Sequence, residues 1–284
     1  MADNFEMMYS KYFDKLPDKD AYIKRIGLEN EKIPLTKKGL DRVQFANLCA
    51  IPFENLDIFD YHVKFDLGTD EMFDKLIMKH RGGYCFELNA IYMELLEAIG
   101  FEVYPVGVRI LLGRDKGNIP PIAHRASIVT LGNRRYFTDV GYGLSSAPGV
   151  SICIDEYNEQ DVLGDIYTVE DRPYNTKVII QHKPEGPSEM FMFVPDPFNR
   201  LDFVAYNTAM QLAGYFHEKR MVNLRKPGGS ISIDGDTFRR TQGNERIETT
   251  LKTGAEVLKV LIEEFGMLLT GPLGDVAYKE DSQL

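Results

Sequence analysis

A double glycine followed by one long amphipathic period constrains this chain more than any other feature of its sequence. The run Arg81-Gly82-Gly83-Tyr84-Cys85 opens a segment in which Leu88, Ile91, Tyr92, Leu95, Leu96 and Ile99 recur at i, i+3, i+4, i+7, i+8 and i+11. That spacing lays an apolar stripe along one face of an α-helix, and Gly100 supplies a stop. It predicts a helix over 84–99 with Cys85 in its first turn. Two glycines let the backbone turn sharply and approach a ligand closely. The unpaired N–H groups and macrodipole of a helix start favour an anion, the form in which a thiol is a nucleophile. The alternative reading of Cys85 is a packed helix residue, because free cysteine is often buried.

Periodicity divides the rest of the chain around that helix. Before it, helical spacing appears over 21–26, 37–48 and 70–79, with Pro34-Leu35-Thr36 as a start signal. From Phe101 the pattern changes to short β-rich runs over 103–112, 126–131, 136–140 and 177–181, broken by Gly, Pro and Asn clusters. These predict an antiparallel sheet or small barrel reaching about Phe203. A turn at Asp234-Gly235 joins runs over 230–233 and 237–241 into a hairpin, and an amphipathic helix over 254–269 follows. This α+β order suggests three compact units, with boundaries at 1–100, 101–203 and 204–284.

Composition narrows the classes of function. The 284 residues carry a formal net charge of −10 and a sequence pI of about 5.1, which argues against nucleic acid as the main partner. No apolar run approaches the ~20 residues of a membrane span, and the N-terminal segment has no apolar h-region. Three cysteines, Cys49, Cys85 and Cys153, make no disulfide framework, and no CxxC or HxxxH pair suggests zinc. The expectation is a cytoplasmic protein with reduced thiols, no metal, no permanently bound cofactor, and neither membrane nor nucleic acid as partner.

A thiolate nucleophile wants a histidine held by a third group. Of the five histidines, His62, His80, His124, His182 and His217, His124 has the strongest strand-geometry argument. Gly132-Asn133 reads as a two-residue hairpin loop, so Leu131 faces Arg134 and, in the same register, Asp139 faces Ala126. His124 lies on the face of Ala126 and is the diagonal neighbour of Asp139. A loop one residue longer would flip the parity and separate the two. An ordinary strand histidine is the competing reading, and His80 is the rival base. The Val140-Gly141-Tyr142-Gly143 run after Asp139 either admits a substrate to the backbone, with Tyr142 as a wall, or is only a turn.

These residues resemble the arylamine N-acetyltransferases. The resemblance rests on Arg81-Gly82-Gly83-Tyr84-Cys85-Phe86-Glu87-Leu88-Asn89 and on a later strand histidine. It rests also on an aspartate opening Asp139-Val140-Gly141-Tyr142-Gly143, on Tyr22-Ile23-Lys24-Arg25-Ile26-Gly27, and on Ile51-Pro52-Phe53-Glu54-Asn55-Leu56-Asp57. It covers most of the chain. It implies a helical bundle, a β-barrel and an α/β lid around a cysteine-protease-like core, with a Cys85, His124 and Asp139 triad. Glu54 and Arg81 would form a buried supporting ion pair. Gly141, Tyr142, Gly143 and Phe216 would meet coenzyme A.

The chain departs from the family's pattern at Ala123 and in the lid run from Asn207 to Phe216, which bear on acceptor range and coenzyme A contacts. The basic residues Lys219, Arg220, Arg225 and Lys226 read either as phosphate contacts or as a solvated face. The implied reaction is two-step acetyl transfer from acetyl-CoA, as co-substrate, through an acyl-cysteine to arylamines, arylhydrazines or arylhydroxylamines. Within the family the alternative is a macrolactam-forming amide synthase. Outside it stand a cysteine hydrolase or transglutaminase-like enzyme, and a binding protein in which Cys85 only packs.

Overall fold

The computed structural model describes residues 9–114, 117–212 and 215–269. Its N-terminal part is helical, with α1 at Lys19–Arg25, α2 at Lys37–Ala50, α3 at Leu56–Phe59, α4 at Thr69–Phe73 and α5 at Cys85–Ile99. Asp18 and Thr36 cap α1 and α2 by accepting the N–H groups of Ala21 and Gly39. Helix α4 runs straight into a π-helical turn, Asp74–Met78. At the end of α5, Gly100 takes the left-handed conformation, φ +113°, that closes a helix.

The apolar stripe predicts a helix with one buried face, yet α5 is buried on every side from Cys85 to Leu96. The barrel meets the side that carries Asn89 and Tyr92, whose hydroxyl bonds Thr138, and the helical part meets the side that carries Glu87. The polar residues Glu87, Asn89 and Glu94 are therefore buried too, and each has a partner, in Lys75, Asp139 and Arg200 respectively. Burial without those partners would cost far more than an apolar side chain.

The barrel comprises β2 (Glu102–Ile110), β3 (His124–Leu131), β4 (Arg134–Thr138), β5 (Ile152–Cys153), β6 (Gln160–Val162), β7 (Asp165–Arg172), β8 (Thr176–Lys183) and β9 (Gly186–Phe193). They form one antiparallel, nearly closed sheet in the order β5-β4-β3-β2-β9-β8-β7-β6. Val106, Val108, Ala126, Ile128, Phe137 and Phe191 fill its interior. A side chain bridges the seam between the outermost strands. Gln160 Oε1 accepts the Cys153 N–H at 2.8 Å, and its Nε2 donates to the Cys153 carbonyl at 2.8 Å. One amide side chain thus takes the place of a backbone partner and satisfies an edge residue that would otherwise be unpaired.

The β3–β4 hairpin has the register read from sequence, Leu131 opposite Arg134 and Ser127 opposite Thr138. Gly132 has φ +63° and Asn133 does not share the positive sign, which is the two-residue turn with glycine at its first position. The last barrel strand ends at Phe193. Phe203, expected near the barrel's end, lies instead in helix α6, Asp202–Leu212, packed on Phe86 and under the Arg125 guanidinium.

A second, five-stranded sheet has the order β1-β10-β11-β12-β13 and carries helix α7, Gly254–Glu263. Its strands are β1 (Phe53–Glu54), β10 (Met221–Lys226), β11 (Gly229–Asp234), β12 (Thr237–Gln242) and β13 (Glu245–Thr250). Strand β1 comes from the Ile51–Asp57 segment, so the N-terminal part supplies the edge of the C-terminal sheet. The β11–β12 loop is Gly235-Asp236 rather than Asp234-Gly235, since Asp234 is still paired with Thr237. Helix α7 stops six residues before the predicted end. Gly266, at φ +68°, turns the chain so that Phe265 and Met267 pack on the sheet. The expected third unit extends to 284, and residues 270–284 lie outside the described residues.

Replacing Gln160 with alanine opens the barrel seam and leaves the Cys153 N–H and carbonyl unpartnered. The expected destabilisation is about 1–3 kcal/mol in urea unfolding. A change below a few tenths would show that the seam holds without that amide.

Candidate active site

Cys85 is the first residue of α5, and the loop before it is fixed by close approach of two chain segments. Gly83 N–H donates to the Pro52 carbonyl at 3.3 Å, and Glu54 N–H to the Gly83 carbonyl at 2.9 Å. A β-carbon on Gly82 would fall 2.3 Å from the Pro52 oxygen, and one on Gly83 would fall 2.9 Å from Glu87 Oε2. Neither glycine has a positive φ. The expectation of a sharp glycine turn is therefore replaced by a steric one: the glycines are there because a strand and a carboxylate lie against them.

From the other side, β3 and the end of β4 deliver His124 and Asp139. His124 Nε2 and Asp139 Oδ2 are 2.7 Å apart, and both residues are buried. Cys85 faces the same ring, its Sγ donating to the Ala123 carbonyl next to His124 at 3.9 Å. With Nε2 turned to Asp139, Nδ1 is the ring nitrogen left for other partners. Burial works against a charged imidazole here, but the charge and hydrogen bond of Asp139, with Cys85, outweigh it and push His124 up to about 10. His124 is thus an imidazolium at neutral pH, poised beside sulfur.

Asp139 is itself held by a residue that sequence reasoning passed over. Asn89, one turn beyond Cys85, donates through Nδ2 to Asp139 Oδ1 at 2.8 Å and to the Arg125 carbonyl at 2.5 Å. Its Oδ1 accepts the Val140 N–H at 2.9 Å. The Gly141 N–H donates to the same Asp139 oxygen at 2.7 Å, leaving Oδ2 for His124. Gln44 adds a bond to the Asp139 carbonyl and accepts from Thr138. The i, i+4 spacing of Cys85 and Asn89 was the available signal for one of these; nothing local marked Gln44.

Beneath the loop lies a chain of buried charges. Glu54 Oε1 accepts from Arg81 Nε at 3.0 Å and Nη2 at 2.6 Å, and Arg81 Nη2 reaches Asp57 Oδ1 at 3.0 Å. Lys75 Nζ bridges Asp57 Oδ2 at 2.6 Å and Glu87 Oε1 at 2.7 Å. Burial opposes the charged forms of Lys75 and Arg81, yet the facing carboxylates raise both. The expected Glu54–Arg81 contact is present as part of this longer chain.

The other predicted positions lie in the loop after Asp139 and in the aromatic group around Phe53. A β-carbon on Gly141 would meet Asn89 Nδ2 at 2.6 Å and the Cys85 Cα at 2.8 Å, so that glycine seats the loop on the helix start. Tyr142 packs edge-on to His124 and Phe191, and its buried hydroxyl has no partner among the described residues. Gly143, φ +78°, lies against the Phe53 ring. Phe216 is buried against Phe53 and Tyr84, its carbonyl accepting from Asn55. Tyr84 hydroxyl donates to Asn207 in the divergent lid run, of which 213 and 214 lie outside the described residues.

The remaining histidines stand elsewhere. His62 bonds the Ile58 carbonyl, His182 bonds Thr168 and His217 bonds the Gln211 carbonyl. His80, the rival base, sits in a left-handed turn with φ +50°. Of the basic residues, Lys219 pairs with Asp234, Arg220 with Asp60, and Arg225 donates to the carbonyls of Ser145 and Ala147. Among the described residues no cluster of His, Cys, Asp or Glu is placed to hold a metal ion, and no helix is long and apolar enough to cross a membrane.

Arg81→Met leaves Glu54 and Asp57 buried without their guanidinium. A loss of about 3–5 kcal/mol in unfolding free energy is expected. Arg81→Lys should recover only part of it, because an ammonium cannot serve two carboxylates through a planar fork. Equal stability of the parent and Arg81→Met would refute the assignment.

Comparison with known proteins shows the family and the fold. A family model described as N-acetyltransferase matches residues 38–273. An arylamine N-acetyltransferase of Mycolicibacterium smegmatis is 36% identical over 268 residues, covering 93% of this chain and 95% of that one. The solved arylamine N-acetyltransferase of Salmonella typhimurium shares the fold with a TM-score of 0.83, at 23% identity, over 94% of this chain and 96% of that one. That of Mycobacterium marinum, solved in complex with CoA, gives 0.81 at 22% identity over 92% and 100%. With a family model matching most of its length and a 36% identical relative along nearly all of it, the chain belongs to the arylamine N-acetyltransferase family of acyltransferases.

Proposed function

We propose that the protein transfers the acetyl group of acetyl-CoA through a thioester on Cys85 to arylamines, arylhydrazines or arylhydroxylamines. The observation that carries this reading is the Cys85–His124–Asp139 chain at a helix start, closed by the 2.7 Å His124–Asp139 contact. Family membership and the CoA complex of a fold neighbour support acetyl-CoA as co-substrate.

In the first half-reaction the Cys85 thiolate attacks the thioester carbonyl. The tetrahedral intermediate collapses by breaking the bond to the coenzyme sulfur, and the His124 imidazolium protonates that leaving thiolate. In the second, the uncharged amine attacks the acyl-cysteine carbonyl and gives its proton to His124 as the Cys85 thiolate departs. Asp139 keeps Nε2–H directed to itself, so Nδ1 faces the reacting atoms throughout. A thioester-to-thioester exchange is nearly balanced in energy, so the acetyl group stays activated for the amine.

Tyr142, Gly143 and Phe216 are the proposed coenzyme or acceptor contacts. The unpartnered Tyr142 hydroxyl is the polar group offered to a bound molecule. Gly141 belongs to the same loop, but its N–H is already engaged by Asp139. The buried ion pair of Glu54 and Arg81 supports the loop rather than the reaction.

Peptide mass spectrometry after exposure to acetyl-CoA alone should find an acetyl adduct on Cys85, discharged by an aromatic amine. Unmodified Cys85 would sink the proposal. Coenzyme release that runs on without amine would identify a hydrolase instead. Cys85→Ser should abolish transfer, and Asp139→Asn should lower it by ~10²–10⁴ through loss of the correct tautomer.

The raised His124 also sets a pH dependence of stability. The contribution of its charged pair is complete below the unfolded value of about 6.5 and is lost as pH rises through about 10. The stability gap between the parent and His124→Gln should therefore shrink across that window. A constant gap would mean that the ring is neutral.

A further inference from the structure

The buried charges under the nucleophile do not balance without Lys75. Three carboxylates, Glu54, Asp57 and Glu87, face two cations, Arg81 and Lys75. Arg81 is occupied by Glu54 and Asp57. Among the described residues Lys75 is thus the cation in contact with Glu87. Glu87 lies two residues after Cys85 in the first turn of α5, and its Oε2 accepts the Tyr84 N–H at 3.1 Å. One carboxylate therefore caps the nucleophile's helix immediately before Cys85. Burial raises Glu87 to about 7 even with Lys75 beside it.

Lys75 is committed to this position by backbone as well as side chain. It sits in the π-helical turn Asp74–Met78, and its carbonyl accepts the Arg81 N–H at 3.0 Å at the start of the glycine loop. Its ammonium also lies 4.9 Å from the centre of the Phe65 ring, whose edge packs on Tyr84. Single-turn π segments of this kind recur at functional sites.

We infer that Lys75 is a positioning residue for the nucleophile, its ammonium holding Glu87 ionised and in place as the cap of the Cys85 helix. The inference rests on Cys85 as the acyl acceptor, but its test reads the thiol directly. The groups facing Lys75 are Asp57 and Glu87 in contact, with Glu54 and Arg81 behind them; those facing Cys85 are His124 and Tyr84. Without Lys75, Glu87 loses its contacting cation while Asp57 keeps Arg81.

The test is iodoacetamide alkylation of Cys85 in the full chain, followed by peptide mass spectrometry, with circular dichroism on each variant. Lys75→Gln should slow alkylation about tenfold near pH 7, because Glu87 loses the cation that holds it in the cap. Lys75→Gln combined with Glu87→Gln replaces the ion pair by two amides and should return the rate to within about threefold of the parent. An unaffected single variant, or a folded double variant as slow as the single one, would overturn the inference. If only the double variant folds, its rate decides. If neither folds, Lys75 is a structural residue and the inference fails. Acetyl adduct formation on the parent is read in the same samples; its absence would remove the proposed function and leave the alkylation result standing.

Discussion

One carboxylate joins the two halves of the candidate site. Asp139 leaves the end of a barrel strand with each oxygen assigned: Oδ1 to Asn89 of the nucleophile's helix and the Gly141 N–H, Oδ2 to His124. Because Asn89 stands one turn beyond Cys85, the bond that orients the acid also sets the distance between barrel and helix. The relative placement of sulfur and imidazole is thus a consequence of that contact. A shift of the helix against the barrel would break a buried, charge-assisted hydrogen bond, and such bonds are among the stronger ones available.

The helix start is held from below by a different kind of interaction. Buried ion pairs are poor sources of net stability, because desolvation offsets most of their attraction. A run of five such charges, Glu54, Arg81, Asp57, Lys75 and Glu87, is better understood as a device of geometry. Each charge is expensive to leave unpaired, so the loop between Arg81 and Cys85 has few alternative positions. Glu54 also belongs to the edge strand of the C-terminal sheet, so that sheet is tied into the same set of contacts.

The glycines follow from this packing. At Gly82 and Gly83 a side chain would strike the Pro52 carbonyl and the capping Glu87; at Gly141 it would strike the backbone of Cys85. In each case the missing β-carbon is space already filled by another segment. Tyr142, Phe191 and His124 pack on one another on the barrel side, and Phe53, Tyr84 and Phe216 form a second aromatic group in the same apolar cluster as the buried Cys85. An apolar surrounding strengthens whatever charge pairing it contains.

The sequence by itself determined the local features. The 3.6-residue period placed helix α5 and Cys85 at its start. The switch to short β-rich runs placed the barrel, and the Gly132-Asn133 pair fixed a register that puts His124 beside Asp139. Each of these rests on neighbours along the chain, where spacing is legible. Only the tertiary structure decided why α5 is buried on all sides, because a single stripe cannot announce that helices and barrel both pack on it. Pairing of Phe53 and Glu54 with β10, closure of the barrel by Gln160, and the approach of Lys75 to Glu87 likewise join residues far apart in sequence or set by an irregular turn. Local propensity is silent about such contacts, since their energy exists only once the layers have met.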